Sequence, residues 1–221
     1  MMVNNVAAFF DFDKTLLEVE TGKMGFKWMQ DRKMMPLGYA LKVLTASILY
    51  QRDLVSEEHM GRVMLTYYKG KRLADYQPGA EAFYREYLKP RLAPNVLDRV
   101  RYHKRNGHRL VLISGSVRYP LEPVTRDLGF DDLLCTDLEE DEDGVLTGKS
   151  RGPLCVDEIK KQLTLKLANR YGLDLDLSFA YGNHHADIPL LELVGYPYVV
   201  EPNRRLGKVA REKSWPVLSF R

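Results

Sequence analysis

Five apolar residues in a row, Val6-Ala7-Ala8-Phe9-Phe10, stop abruptly at Asp11-Phe12-Asp13-Lys14-Thr15. A short continuous apolar run bounded by polar residues is the pattern of a strand buried on both faces. Strands of that kind belong to parallel sheets covered by helices, and in open α/β sheets ligands sit beyond the carboxyl ends of the strands. The run therefore constrains both the layer architecture and the place where reactive groups belong.

The same pattern recurs twice. Arg109-Leu110-Val111-Leu112-Ile113 ends in Ser114-Gly115-Ser116, and Ser178-Phe179-Ala180-Tyr181 ends in Gly182-Asn183-His184-His185-Ala186-Asp187. Hydroxyls and exposed backbone N–H groups at 114–116 suit phosphate oxygens. Residues 20–76 show helical periodicity instead, with Met60, Val63, Met64 and Tyr67 at three- and four-residue steps. Within them residues 37–50 read as an apolar helix, and Ser56 reads as the N-cap of another. Residues 94–108 read as a helix closed by Gly107, and residues 155–171 as a helix carrying Lys160 in its early turns. The acidic stretch 137–143 is open to two readings, a cation-binding loop or a solvated hairpin; the Asp143-Gly144 turn signal favours the hairpin.

Two carboxylates one residue apart leave a strand on the same side. One can attack as a nucleophile while the other moves a proton. If the electrophile is a dianionic ester, the attack also needs a hard cation such as Mg2+ to offset repulsion.

Taken together, the Asp11-x-Asp13-x-Thr15 run, the Ser114 loop, Lys160 and the segment from Gly182 to Asp187 resemble the haloacid dehalogenase superfamily, and within it subfamily IB with the phosphoserine phosphatases. The resemblance covers most of the chain and extends to residues 147–153 and to Trp215-Pro216-Val217-Leu218. It implies an α/β fold: a Rossmann-like core, residues 1–18 and 78–221, with a parallel sheet flanked by helices, and an inserted all-helical cap of the C1 type, residues 19–77. It implies that Asp11 is the nucleophile, Asp13 the acid/base, and Lys160 the charge that orients Asp11 and the phosphate. Ser114, Gly115 and Thr15 fall to the phosphate-binding set, with Thr15 steadying its loop. Mg2+ falls to Asp11, the backbone carbonyl of Asp13, Asn183 and Asp187.

The fourth motif departs from the superfamily pattern, because Gly182-Asn183 stands where Gly-Asp is usual. An amide oxygen can coordinate but brings no charge, which leaves two readings, a lower metal affinity or a larger share of the binding for Asp187. His184 and His185 would suit a softer metal, yet no other His or Cys stands at a suitable spacing. Glu20 occupies the position at which phosphoserine phosphatases hold the substrate ammonium, and reads equally as an ordinary first-turn residue. Arg62 is either a fork for a substrate carboxylate or a surface arginine.

The expectation is a Mg2+-dependent phosphatase acting on a small phosphorylated metabolite. The alternatives are a phosphotransferase of the same family and a ligand-binding protein that kept the fold without the chemistry. No Gly-rich turn follows the first strand, which removes a dinucleotide site. A chain of 221 residues with 45% hydrophobic content can bury a full core plus an insertion. Its 33 basic and 30 acidic residues leave +3, so no nucleic-acid partner is expected. Cys135 and Cys155 are too few for a disulfide framework and read as buried thiols of a reducing compartment. The first apolar run is cut by Asp11 and Asp13, and no basic segment precedes it, so a cytoplasmic location is expected. Residues 37–50, interrupted by Lys42, are too short to span a bilayer, and no stable membrane association is expected. The oligomeric state is left open.

Overall fold

The structure, a computed structural model, describes residues 5–52 and 54–221, with the side chains of Gln51 and Glu57 excepted. The first four residues, on which the absence of a basic leader rests, lie outside the described residues. Strand β1 (Ala7–Asp11) is followed by helices α1 (Thr21–Asp31), α2 (Leu37–Gln51) and α3 (Glu57–Leu65), by short turns at Thr66–Tyr68 and Leu73–Asp75, and by α4 (Gln77–Phe83), which widens over Tyr84–Leu88. Next come α5 (Pro94–Arg105), β2 (Arg109–Val117), α6 (Arg118–Leu128), β3 (Asp132–Thr136) and the strand pair β4 (Leu138–Glu140) and β5 (Leu146–Ser150). The chain ends with α7 (Asp157–Tyr171), β6 (Phe179–Gly182), the single turn α8 (Ile188–Leu191), β7 (Tyr196–Val200), α9 (Arg204–Glu212) and β8 (Val217–Leu218).

Six strands form one parallel sheet in the order β3-β2-β1-β6-β7-β8. Side chains alternate across a strand, and β1 shows the two faces directly. Ala8 and Phe10 share a core with Val96 and Val100 of α5 and Leu121 and Val124 of α6. Ala7 and Phe9 share the opposite core with Leu167 of α7 and Leu206 and Ala210 of α9. The continuous apolar run is thus explained by a strand that has helices on both sides.

The order also fixes the site. Progression runs from β1 outward to β2 and β3, then restarts on the other side with β6, so the sheet switches direction between β1 and β6. That is where α/β sheets open a crevice at the carboxyl ends of their strands. Asp11 pairs with Ile113, just before Ser114, and Phe10 pairs with Tyr181, just before Gly182. Three segments far apart in sequence, ending at Asp11, Ser114 and Gly182, therefore end level with one another.

Residues 19–77 leave the sheet at the end of β1 and contribute helices and turns. Ser56 caps α3 by accepting the His59 N–H at 3.1 Å, as its sequence position predicts. The segment is stitched to the hairpin: Gly70 N–H donates to the Leu146 carbonyl and Leu146 N–H to the Lys71 carbonyl, each at 2.8 Å. Leu65, Leu138, Leu146, Leu154 and Val156 form a third small core beneath that seam. The acidic stretch makes the turn of the hairpin. Asp141 accepts the N–H groups of Asp143 and Val145, and Gly144 takes φ +71°, a left-handed conformation that favours glycine. Among the described residues no helix is long and apolar enough to cross a membrane. Cys135 and Cys155 are free and buried, and burial pushes both thiols up to about 12.

One buried polar chain crosses the first core. His103 of α5 is fully buried, with Nε2 2.8 Å from the Tyr181 hydroxyl and Nδ1 2.8 Å from Nδ1 of His108. Burial lowers its pKa to about 3, so the ring is neutral in the folded protein. In the unfolded chain the ring takes a proton below about 6.5, so the unfolded state binds more protons there and stability falls as pH drops from 6.5 toward 3. His103 should contribute up to about 1.4 kcal/mol per pH unit in that window. Urea midpoints of the wild type should fall over it, and His103→Gln, which keeps hydrogen-bonding groups without titrating there, should show a flatter decline. An unchanged slope in the variant would assign the acid sensitivity to other groups.

Candidate active site

Asp11 ends β1 with its side chain buried, and the chain then turns back sharply. Leu17 N–H reaches the Phe12 carbonyl at 2.9 Å, Leu16 N–H reaches the Asp11 carbonyl at 3.3 Å, and Lys14 adopts φ +56° to allow it. The turn brings the Thr15 hydroxyl to Asp11, where it donates to Oδ2 at 2.8 Å. Thr15, grouped above with the phosphate-binding residues, thus spends its proton on orienting Asp11, the steadying role also read for it.

Lys160 lies in the first turns of α7 and reaches back across the core. Its Nζ is 2.7 Å from Asp11 Oδ1 and 2.6 Å from Asp187 Oδ1, and all three side chains are buried. Asp187 Oδ2 accepts the N–H groups of Asn183 at 3.1 Å and His184 at 3.0 Å. Gly182 permits that approach: a Cβ there would lie 2.7 Å from Asp187 Cβ. Both Asp187 oxygens are therefore engaged with protein groups, as both Asp11 oxygens are with Thr15 and Lys160, and each carboxylate oxygen keeps a further lone pair. Burial raises the Asp11 pKa to about 7 against the pull of Lys160, with Asp187 and Asp13 adding repulsion.

Asp13 is gripped from two sides. The Thr21 N–H at the start of α1 donates to Oδ1, and the Ser116 hydroxyl donates to Oδ2 at 3.0 Å. Ser114 Oγ lies 3.4 Å from the same Oδ2 and accepts the Ser116 N–H at 3.1 Å. Burial raises the Asp13 pKa, and the Thr21 and Ser116 hydrogen bonds oppose the rise. Gly115 packs closely, since a Cβ would sit 3.0 Å from Val156 Cγ1. Thr136 locks this loop to the approach of α7, donating to the Gly115 carbonyl at 2.8 Å and accepting the Cys155 N–H at 3.1 Å.

Three acidic side chains, Asp11, Asp13 and Asp187, thus share a small region with Lys160. That arrangement leaves an excess of negative charge which a cation fits. The residues that could hold it offer hard oxygens, the Asp11 and Asp187 carboxylates, the Asp13 main-chain carbonyl and the Asn183 amide, the donor type that Mg2+ takes. The Asn183 main chain is held at both ends, its N–H by Asp187 and its carbonyl by the Asn203 N–H at 3.0 Å. The two histidines have other partners. His184 Nδ1 accepts the Ala186 N–H at 3.4 Å, and His185 lies between Asn203 and Arg205. Burial lowers the His184 pKa to about 4. Among the described residues no group of three or more His, Cys, Asp or Glu is arranged to hold a metal.

The two substrate candidates lie at the margin. Glu20 precedes α1 without capping it through its side chain and pairs with Lys23 at 2.9 Å, although its charge still reaches Asp13. Arg62 is exposed on α3 and pairs with Glu58 at 2.6 Å. Ser116, Thr21, Thr136 and Asn203 did not stand out as site residues from sequence. Ser116 had a local signal, a second hydroxyl two residues after Ser114, whereas Thr136 and Asn203 act through contacts that no spacing announces.

Comparisons with known proteins agree with this geometry. The profile of the haloacid dehalogenase-like hydrolase family matches residues 8–192. A phosphoserine phosphatase of Mycobacterium tuberculosis is 28% identical over 221 residues, covering 97% of this chain and 71% of its own. A histidinol-phosphatase of Neisseria meningitidis serogroup C is 32% identical over 164 residues, 71% of each chain. In three dimensions the chain is similar to a Bordetella pertussis protein of unknown function, with TM-score 0.87, 25% identity and coverage of 99% and 100%. It shares its fold with a phospho-aspartyl intermediate analogue of a phosphoserine phosphatase, at TM-score 0.71, 17% identity and coverage of 99% and 94%.

Lys160→Met should cost about 3–5 kcal/mol, because it leaves Asp11 and Asp187 buried without their counter-charge. The loss measured by urea denaturation should be larger at pH 8 than at pH 6, where Asp11 takes up a proton and relieves the repulsion. Equal losses at the two pH values would show that packing, not charge, is what Lys160 supplies.

Proposed function

The chain belongs to the haloacid dehalogenase-like hydrolases, and from that premise we propose that it is a Mg2+-dependent phosphatase that hydrolyses a small phosphomonoester through an aspartyl phosphate on Asp11. The observation that carries the reading is the state of Asp11: buried at a strand end, with Thr15 and Lys160 each holding one carboxylate oxygen. A carboxylate so oriented presents a fixed lone pair for attack on phosphorus.

Asp13 supplies the proton. Burial raises its pKa, in the direction of the protonated form needed to release the alcohol, and the same group can then take a proton from the attacking water. Phosphorus gains the bond to Asp11 as the ester oxygen leaves with the Asp13 proton. Hydrolysis returns phosphate and restores both carboxyl groups. Ser114 and the N–H groups beside Gly115 are positioned at the end of β2 to bind the transferring oxygens. Lys160 offsets their charge. The oxygens of Asp11, Asp13, Asn183 and Asp187 would hold Mg2+, which when bound would offset the phosphoryl charge so that an anionic nucleophile can approach it.

The reading divides the chain into a core, residues 1–18 and 78–221, and a helical cap, residues 19–77. The Thr21 contact with Asp13 supports that division, because it places the start of the cap beside the acid. Relatives named for phosphoserine and histidinol phosphate point to amine-bearing esters, and Glu20 beside the site is the carboxylate available to an ammonium group.

Phosphate release from an aryl phosphate should require Mg2+, stop with chelator and vanish in Asp11→Asn; activity of that variant near the wild-type level would sink the mechanism. Ser116→Ala removes a hydrogen bond that lowers the Asp13 pKa. The alkaline limb of the kcat/KM profile should therefore move to higher pH in that variant, with kcat reduced at most about tenfold. A profile that stays in place would mean that Ser116 does not act through Asp13.

A further inference from the structure

Helix α2 carries four large apolar side chains that the fold leaves open: Leu37 is 89% exposed, Leu41 66%, Leu44 58% and Ile48 42%. Their spacing of four, three and four residues puts them in one stripe along the helix. Met34 before the helix and Leu54 after it are exposed as well. The opposite side of α2 is the one that packs, with Ala46 buried and the Tyr39 hydroxyl donating to the Met64 carbonyl of α3 at 3.1 Å. The open stripe amounts to something on the order of 500 Å2, at the upper end of what monomeric proteins leave uncovered.

Charge selects the occupant. Residues 32–52 carry Arg32, Lys33, Lys42 and Arg52 and no acidic residue. Arg32 is neutralised by Glu86 at 3.1 Å, which leaves Lys33 and Arg52 exposed at the two ends of the helix, while Lys42 in its middle turns away from the stripe and donates to the Thr66 hydroxyl at 3.2 Å. A second copy of the chain packed on this face would bring like charges together. An anionic lipid surface instead meets apolar side chains with its acyl region and basic ones with its headgroups.

We propose that α2 is a membrane-surface docking helix, which lies in the interface of an anionic bilayer with Leu37, Leu41, Leu44 and Ile48 inserted. The association is reversible, as expected for one short amphipathic helix without a lipid anchor. It is independent of the phosphatase reading, because no residue of the catalytic site takes part.

The test is co-sedimentation of the full chain with vesicles of phosphatidylcholine alone and of an equal mixture with phosphatidylglycerol, at about 0.05 M and about 0.5 M salt. Binding to the mixed vesicles at low salt is expected, weakened at least about tenfold by the higher salt or by removing the anionic lipid. Leu41→Glu combined with Leu44→Glu should abolish it, and Lys33→Gln with Arg52→Gln should weaken it, while phosphate release by both variants stays at the wild-type level. Leu41→Ala with Leu44→Ala, expected to bind at least about tenfold more weakly, serves if the glutamates disturb folding. No pelleting with mixed vesicles at low salt overturns the proposal, as does pelleting that the stripe variants leave unchanged. Competition by soluble glycerol phosphate overturns it too, because the headgroup would then be held in the catalytic site. A dimer in sedimentation velocity that the stripe variants dissolve, without vesicle binding, would assign the face to a second copy.

Discussion

A single ammonium group holds the site together. Lys160 bridges Asp11 and Asp187, and in doing so ties the end of β1, the first turns of α7 and the loop after β6 to one point. All three side chains are buried, so each ion has lost most of its hydration and depends on the others. Two carboxylates facing one cation leave negative charge uncompensated, and the Asp187 charge adds to the burial that raises the Asp11 pKa. That imbalance is what a divalent cation would offset in the proposed reaction.

The sheet makes this arrangement rigid. Both faces of β1 are packed, so Asp11 leaves a strand that has no freedom to shift. Gly182 and Gly115 allow closer backbone approaches than any side chain would, and Thr136 ties the Ser114 loop to the segment that launches α7. Asp13 differs in kind. One oxygen is held by Ser116 of β2 and the other by the first residue of α1, so the proposed proton donor stands where the sheet meets the helical insertion.

Much of this was legible beforehand. The three strand ends, the carboxylate pair and Ser114 stood in local patterns, Lys160 was singled out only by the family resemblance, and the structure brings them together. The hairpin at Asp143-Gly144 and the Ser56 cap followed from turn and capping chemistry that acts over a few residues. Less was visible where a residue's role depends on a distant partner. The sequence marked Asp187 only as an oxygen donor, and its contacts with Lys160 and two backbone N–H groups became visible only in the fold. Residues 37–50 read as an apolar helix, but which face would stay open depended on where α3 packs.

By itself the sequence determined the layer class, the place of the catalytic groups on strand ends and the family, because apolar periodicity and short motifs are local properties of the chain. Only the tertiary structure decided how those groups are charged and oriented. Asp11 and Lys160 stand 149 positions apart, and no spacing rule states that their atoms meet at 2.7 Å or that Thr15 takes the other oxygen. Desolvation, which sets the Asp11 pKa, arises only when strands and helices close around a side chain, and so it is a property of the fold rather than of any segment.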